Sequence, residues 1–122
     1  MLIRNIDDAE MNPVDMEGVK DTSMAVMVGR DDTAPNFAIR QFRVEPGGHT
    51  PRHAHDFEHE VYVLDGAGEV LLDGEYRPIT RGDVLYVPAE EEHQFRANAG
   101  EALRFLCMVP MSRNCGDPTP GS

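Results

Sequence analysis

Residues 47–66 read GGHTPRHAHDFEHEVYVLDG and hold four of the five histidines of the 122-residue chain. Glycine and proline break the first part of the segment, whereas its second part, HEVYVL, alternates as a half-buried β-strand does. His53 and His55 are two residues apart, so on an extended segment both imidazoles project to one side. His59 opens the following strand, and a turn between it and His55 would bring all three rings close together.

Short apolar stretches separated by Gly, Pro and Asp turns continue on both sides of this segment. No apolar pattern of helical period persists for about 10 residues, and Asp73-Gly74 is a strong hairpin signal. The tetrapeptide at 45–48, EPGG, is expected to end a strand that begins at Phe37. The pattern predicts an all-β domain, built as a sandwich or a barrel. Strands are predicted at 20–28, 37–44, 59–64, 69–72, 75–79, 84–87, 93–96 and 102–109.

Composition narrows the possible partners and location. The chain has 22 acidic and 11 basic residues, a net charge of −11, so it lacks the basic surface that nucleic acid or an anionic membrane requires. No apolar run approaches about 18 residues, and the start has no basic-then-apolar leader. Two cysteines do not form a disulfide scaffold. We expect a cytoplasmic protein with neither a nucleic-acid nor a membrane partner.

The histidines indicate a metal site. His93 opens a strand after a proline-bearing loop, so side chains from three adjacent strands could converge inside a barrel. Imidazole nitrogens at about 2.0–2.1 Å from one ion are a stable reason for such convergence. Taken alone, the pair His53 and His55 could equally be two surface histidines on a strand. His49 is expected to be a loop residue near the rim rather than a ligand.

At this point the sequence resembles the cupins. Their first motif, Gly-x5-His-x-His-x3-Glu-x6-Gly, is matched from Gly47 to Gly66, with His59 at the position that glutamate usually holds. Their second motif, Gly-x5-Pro-x-Gly-x2-His-x3-Asn, is matched from Gly82 to His93. There Glu90 replaces the glycine and Asn98 comes one place late. The resemblance covers about residues 37–109.

The resemblance implies a single-domain cupin barrel, a double-stranded β-helix or jelly roll, of the small type that holds manganese with four histidines. The implied ligands are His53, His55, His59 and His93. Glu60 would be the alternative fourth ligand if the loop carried one more residue, but Val61 and Val63 share a face with His59. One divalent transition metal per chain is expected, with Mn favoured by the resemblance and Fe, Zn or Ni also suited to imidazole.

Further residues could line the pocket or support the ligands. On a strand, Arg40 lies on the same face as Phe42 and Val44, so it could reach inward. Alternatively, it could be an edge or surface arginine. Phe105 and Cys107 are expected to face inside. There they would ordinarily pack in the core, and the more specific alternative is that they line the metal pocket. The candidate pocket residues are Arg40, Phe42, Glu60, Tyr62, Gln94, Phe95, Phe105 and Cys107, with Glu60 or Gln94 as possible hydrogen-bond partners of the ligands.

The chain shows no nucleophile elbow and no phosphate-binding glycine loop, so we expect any catalysis to be centred on the metal. Four neutral imidazoles leave a divalent ion its full charge, which makes it a strong Lewis acid that is hard to oxidise. The first hypothesis is a Mn- or Fe-dependent oxidoreductase of dioxygenase type acting on a small organic molecule. The alternatives are a metal-dependent isomerase or lyase, and a non-catalytic module that binds a metal or small ligand.

The organisation expected is an N-terminal arm at 1–19, a β-barrel at 20–110 and a flexible tail at 111–122. Exposed sheet edges invite strand pairing, and apolar side chains alternate along 20–28, so a homodimer through N-terminal strands is expected. The acidic run at 90–92 is either a solvated loop or an electronegative rim that disfavours anionic substrates.

Overall fold

The computed structural model describes residues 1–111, and within them nine β-strands form one curled antiparallel sheet. The all-β prediction is confirmed. Short 3₁₀ turns at Ile6–Asp8 and Arg30–Asp32 are the helical elements of this part of the chain. The strands are β1 Asn12–Pro13, β2 Lys20–Val28, β3 Phe37–His49, β4 His59–Asp65, β5 Ala67–Leu72, β6 Glu75–Thr80, β7 Val84–Val87, β8 Gln94–Ala97 and β9 Leu103–Pro110.

Strand β3 is the centre of the sheet. Residues 37–44 pair with β9 on one side, and residues 39–44 pair with β2 on the other. The last residue, His49, pairs with Arg96 of β8. The path of paired strands runs β6-β5-β8-β3-β9-β4-β7. Strand β3 thus joins one group of strands, β6, β5 and β8, to a second group, β9, β4 and β7. The sheet curls around the core as a half-barrel.

The expected strand end at residues 45–48 is wrong, since β3 continues through them to His49. Gly47 takes a positive φ of 77°, and a Cβ on Gly48 would lie 2.6 Å from the carbonyl oxygen of Lys20. The glycines therefore allow a bend and a close approach to β2 rather than a stop. Tertiary pairing with β2 and β8 overrides the local turn signal.

The core lies inside the curl and is dominated by stacked aromatic rings. Phe42 and Phe105 stack with centroids 5.2 Å apart, and Phe95 and Phe105 stack at 4.4 Å. These three rings come from β3, β8 and β9, so they join the two groups of strands. Valine, leucine and alanine side chains from the same strands and from β4 and β5 fill the space around them.

The N-terminal arm lies against the outside of β2. Arg4 forms a two-pronged ion pair with Asp32, the closer contact being 2.8 Å, and also donates to the backbone oxygen of Met27 at 2.7 Å. Among residues 1–111, no helix is long and apolar enough to cross a membrane. The tail predicted at 111–122 lies outside the described residues except for Met111.

Gly68 provides a test of the sheet. A Cβ on this residue of β5 would collide with the carbonyl oxygen of Arg96 on the neighbouring β8. We expect Gly68→Ala to lower the free energy of unfolding by about 1–3 kcal/mol, because the two strands must separate to make room. Denaturant unfolding would measure it.

Gly100→Ala is the matched control, since no heavy atom lies within 4 Å of a Cβ there. Equal stability of the two variants would show that β5 and β8 are not packed as described.

Candidate metal centre

Backbone pairing fixes the position of two of the histidines. His53 donates its N–H to the oxygen of His93 at 3.1 Å, and His93 donates back to the oxygen of His53 at 2.8 Å. This reciprocal pair is the hydrogen-bonded antiparallel arrangement, in which opposite side chains project to the same face. It joins the loop after β3 to the residue before β8. The imidazoles of His53 and His93 consequently lie side by side, with ring centroids 4.9 Å apart.

All four motif histidines converge at this end of the curled sheet. The ring of His55 lies 4.3 Å from that of His53, 5.1 Å from that of His93 and 5.3 Å from that of His59. The rings of His59 and His93 are 4.7 Å apart. One nitrogen each from His53, His55 and His93 lies within 4.8 Å of the other two, which is close enough to hold one ion.

The protonation of His93 follows from its neighbour. Its Nδ1 lies 3.0 Å from the carbonyl oxygen of Glu91. A carbonyl oxygen can only accept, so Nδ1 carries the proton and Nε2 of the neutral ring keeps a lone pair for a metal.

His59 is the most deeply placed of the four and is fully buried. Its Nδ1 lies 3.1 Å from the sulfur of Cys107, and within residues 1–111 its Nε2 has no hydrogen-bond partner. Burial, with a smaller contribution from charge on the neighbouring imidazoles and on Arg40, lowers the pKa of His59 to about 2. The ring is therefore neutral at physiological pH, which is the form that binds metals.

This donor set fits a divalent transition metal. Imidazoles suit Zn, Cu, Fe and Ni, and the buried Nε2 of His59, which has no hydrogen-bond partner in the described chain, has a physical use in ligation. The geometry does not select one metal among these. The three histidines with mutually close nitrogens form the compact group, and His59 lies outside it with its ring 4.7 Å from that of His93.

The loop before His93 is held in an unusual backbone conformation. Glu90, at the motif position where glycine is usual, has a positive φ of 69°, and its N–H donates to the carbonyl oxygen of His55. Arg52 adds an exposed ion pair to Glu92 at 3.0 Å. These contacts tie the loop that carries His93 to the loop that carries His55.

The structure brings some of the other candidate residues into the interior. Phe42, Phe95 and Phe105 form the stacked core below the histidines, and the ring of Phe95 lies 6.5 Å from that of His93. Arg40 is 2% exposed, with a nitrogen 3.5 Å from the sulfur of Cys107. The side chain of Arg40 therefore points inward, and it does not take the edge or surface position that the sequence left open.

Three candidates lie away from the cluster. Glu60 and Tyr62 alternate with the buried residues of β4 and face the opposite side from His59, and Tyr62 is exposed. Gln94 accepts from the hydroxyl of Tyr76 at 2.6 Å and donates to the backbone oxygen of Thr50 at 3.0 Å. His49, the last residue of β3, is 3.5 Å from the same amide and stands outside the cluster.

Phe57 is a site residue that the sequence did not single out. Its ring stacks on His55 with centroids 4.6 Å apart and an angle of 2° between the planes. It also packs against the core. This stacking limits how far His55 can rotate. The available signal in the sequence was a lone aromatic residue in the short polar turn between His55 and His59.

Comparison with known proteins gives a consistent family. The protein-family model described as "Cupin domain" matches residues 40–109 of the sequence. The solved structure of the polyketide cyclase RemF from Streptomyces resistomycificus has a TM-score of 0.85 and 32% identity, covering 91% of this chain and 80% of that one. L-ectoine synthase of Halomonas elongata is 33% identical over 113 residues, 88% of this chain and 79% of that protein.

A further relative is a 1-methylthio-D-xylulose 5-phosphate methylsulfurylase of Rhodospirillum rubrum. It is 40% identical over 76 residues, which cover 62% of this chain. The match spans 49% of that protein, so the chain accounts for about half of its length.

Replacing Glu90 by glycine tests the strain in the loop. A side chain in the left-handed region costs roughly 1–2 kcal/mol, and glycine removes that cost while keeping the N–H that binds His55. We expect Glu90→Gly to raise the thermal midpoint of unfolding, measured by calorimetry.

Glu101→Gly is the control, because this exposed turn residue has no positive φ and gains only chain entropy in the unfolded state. A lower midpoint for Glu90→Gly than for Glu101→Gly would contradict the strained conformation.

Proposed function

The chain belongs to the cupin family, and from that membership we propose that it is a metal-dependent enzyme acting on a small, oxygen-rich organic molecule. The ligands proposed are His53, His55, His59 and His93. The observation that carries the proposal is the convergence of four imidazoles at one end of the curled sheet, with the Nε2 of His59 buried and lacking a hydrogen-bond partner in the described chain.

When bound, a divalent ion supplies Lewis-acid activation of a substrate carbonyl or hydroxyl oxygen. Four imidazole ligands add no negative charge, so they favour activation of this kind over a change of oxidation state. Similarity to a polyketide cyclase over nine tenths of the chain points the same way. We therefore favour a ring-closing or water-eliminating reaction, which belongs with the lyase-like alternative expected from the sequence.

The side chains around the histidines determine what can approach. His53 and His55 are half-buried whereas His59 and His93 are buried, so the first pair marks the side from which a substrate enters. Acidic residues occupy the loops on that side, at Asp56, Glu58 and residues 90–92. Their charge disfavours anionic substrates and favours neutral or cationic ones. The stacked phenylalanines close the bottom of the site and keep water out.

A dioxygenase-type reaction with Mn or Fe, the first hypothesis from the sequence, is the second candidate. The half-buried position of His53 and His55 favours it, because an open side could admit dioxygen together with a bidentate substrate such as a diketone.

Metal content is the first test. Protein purified without added metal is expected to contain one divalent ion per chain by mass spectrometry. His53→Ala, His59→Ala and His93→Ala should each reduce it to a substoichiometric amount, because each removes a ligand. His49→Ala, which removes a histidine outside the cluster, should keep it. Full metal content in the His93→Ala variant would contradict the proposed site.

Oxygen dependence separates the two reactions. Protein loaded with Zn, Mn or Fe would be incubated with and without oxygen with a linear diketone whose aldol closure gives a conjugated cyclohexenone, read by its ultraviolet absorption. Ring closure that needs the metal and continues anaerobically is expected. Turnover only with Mn or Fe, accompanied by oxygen uptake, would favour the dioxygenase, and stoichiometric metal without either reaction would favour a binding module.

We also propose that two copies associate through their N-terminal strands. Within residues 1–111, β1 pairs with Ser23 and Met24 at the edge of β2, Val14 donates to the oxygen of Thr22 and Arg4 to that of Met27, so a second copy would pair with β2 by exchanging this arm. Light scattering at micromolar concentration is expected to give the mass of a dimer, and a monomer mass would contradict this.

A further inference from the structure

A row of three side chains crosses the inner face of the sheet behind the histidine cluster. Cys107 of β9 lies opposite Arg40 of β3, and on its other side β9 pairs with β4, which begins at His59. The sulfur of Cys107 is 3.5 Å from Nη2 of Arg40 and 3.1 Å from Nδ1 of His59. Cys107 is fully buried and Arg40 nearly so.

Cys107 stands behind His59 and does not share the metal position. The compact group of ligand atoms contains nitrogens of His53, His55 and His93; neither the sulfur nor a nitrogen of His59 belongs to it, and the sulfur lies on the Nδ1 side of the His59 ring. The contact of the sulfur is with Nδ1 of His59, whereas His93 makes the corresponding contact from its own Nδ1 to a carbonyl oxygen. The sulfur therefore takes the place beside His59 that a backbone oxygen takes beside His93.

The direction of the hydrogen bond between Cys107 and His59 decides what the ring can do. If the thiol donated, Nε2 would carry the proton, and that N–H would be buried with no acceptor among the described residues. An unsatisfied buried donor is costly. If the sulfur accepts from Nδ1–H, Nε2 keeps a lone pair with which it can bind a metal.

Arg40 is a second donor to the same sulfur; this contact is compatible with the second arrangement, and the partnerless buried Nε2 of His59 is what favours it. A guanidinium has only donors, so its Nη2 directs hydrogen at the sulfur and uses it as an acceptor. Two donors then converge on the sulfur from opposite sides, one from Arg40 and one from His59. The backbone pairing of β3, β9 and β4 sets this arrangement in place without any metal.

We propose that Cys107 is a positioning residue: its sulfur, held between Arg40 and His59, keeps the imidazole of His59 in the Nδ1-protonated form so that Nε2 can bind the metal. The proposal rests on the proposed function in so far as His59 is a ligand. The state of the His59 ring itself belongs to the metal-free protein.

The first measurement is the tautomer of His59 in metal-free protein, read from its nitrogen-15 chemical shifts and assigned with a His59→Gln sample. Wild-type protein is expected to show Nδ1–H. Cys107→Val keeps a side chain of similar size and removes the acceptor, and should shift the ring toward Nε2–H or a mixture. An Nε2–H ring in the wild type would overturn the proposal whether or not the protein binds metal.

The second measurement is affinity for Zn²⁺ or Co²⁺, by competition with a chelator. Cys107→Val and Cys107→Ala are expected to bind about 10–100-fold more weakly than wild type, and Cys107→Ser, which keeps an acceptor, should recover most of the affinity. The matched control is Val109→Ala, which removes buried volume from the same face of β9.

Thermal unfolding of the metal-free variants separates positioning from a loss of packing. The loss of affinity should exceed that of Val109→Ala at comparable stability. If Cys107→Ala does not fold, Cys107→Val and Cys107→Ser carry the comparison. Affinity of Cys107→Val within about threefold of wild type would overturn the proposal, whereas a wild type that binds no metal refutes the proposed function and leaves the tautomer measurement decisive.

Discussion

The reciprocal backbone hydrogen bonds between His53 and His93 are the constraint on which the rest of the site depends. They join the loop after β3 to the entry of β8, two segments that are 40 residues apart in the chain, at 3.1 and 2.8 Å. Once these two residues are opposite each other, His55 follows from its place two residues along. His59 follows from the start of β4, which pairs with β7 and β9. The stacked phenylalanines below give the cluster a rigid and apolar floor.

Charge is distributed unevenly around this cluster. The interior of residues 1–111 holds the imidazoles, of which burial keeps His59 neutral, and the buried guanidinium of Arg40, whereas the surrounding loops are acidic and the chain carries a net charge of −11. A cation bound by the imidazoles is therefore attracted by the surface as a whole, and anionic molecules are repelled from the same entrance. The burial that keeps His59 neutral is also the condition under which a dipositive ion interacts most strongly with its ligands.

The sequence was informative where a local pattern determines the outcome. Alternation in β4 correctly places His59, Val61 and Val63 on the buried face, and the spacing of the histidines anticipates their convergence. It was wrong at residues 45–48, because pairing with β2 and β8 carries the strand through a turn-like tetrapeptide. The contact of Cys107 with His59 depends on the register between β4 and β9, and the stacking of Phe57 on His55 depends on the path of a loop. Neither contact can be predicted from a local sequence pattern.

The proposed centre consists of four imidazoles around a single ion. X-ray absorption spectroscopy at the edge of the bound metal counts those rings directly. Each bound imidazole contributes one nitrogen bonded to the metal and a characteristic scattering pattern from its more distant ring atoms. Four imidazole nitrogens at about 2.0–2.2 Å are expected in wild-type protein, and three in His59→Ala loaded with excess metal. A wild-type spectrum with two or fewer imidazoles, or with a sulfur ligand at about 2.3 Å, would contradict it.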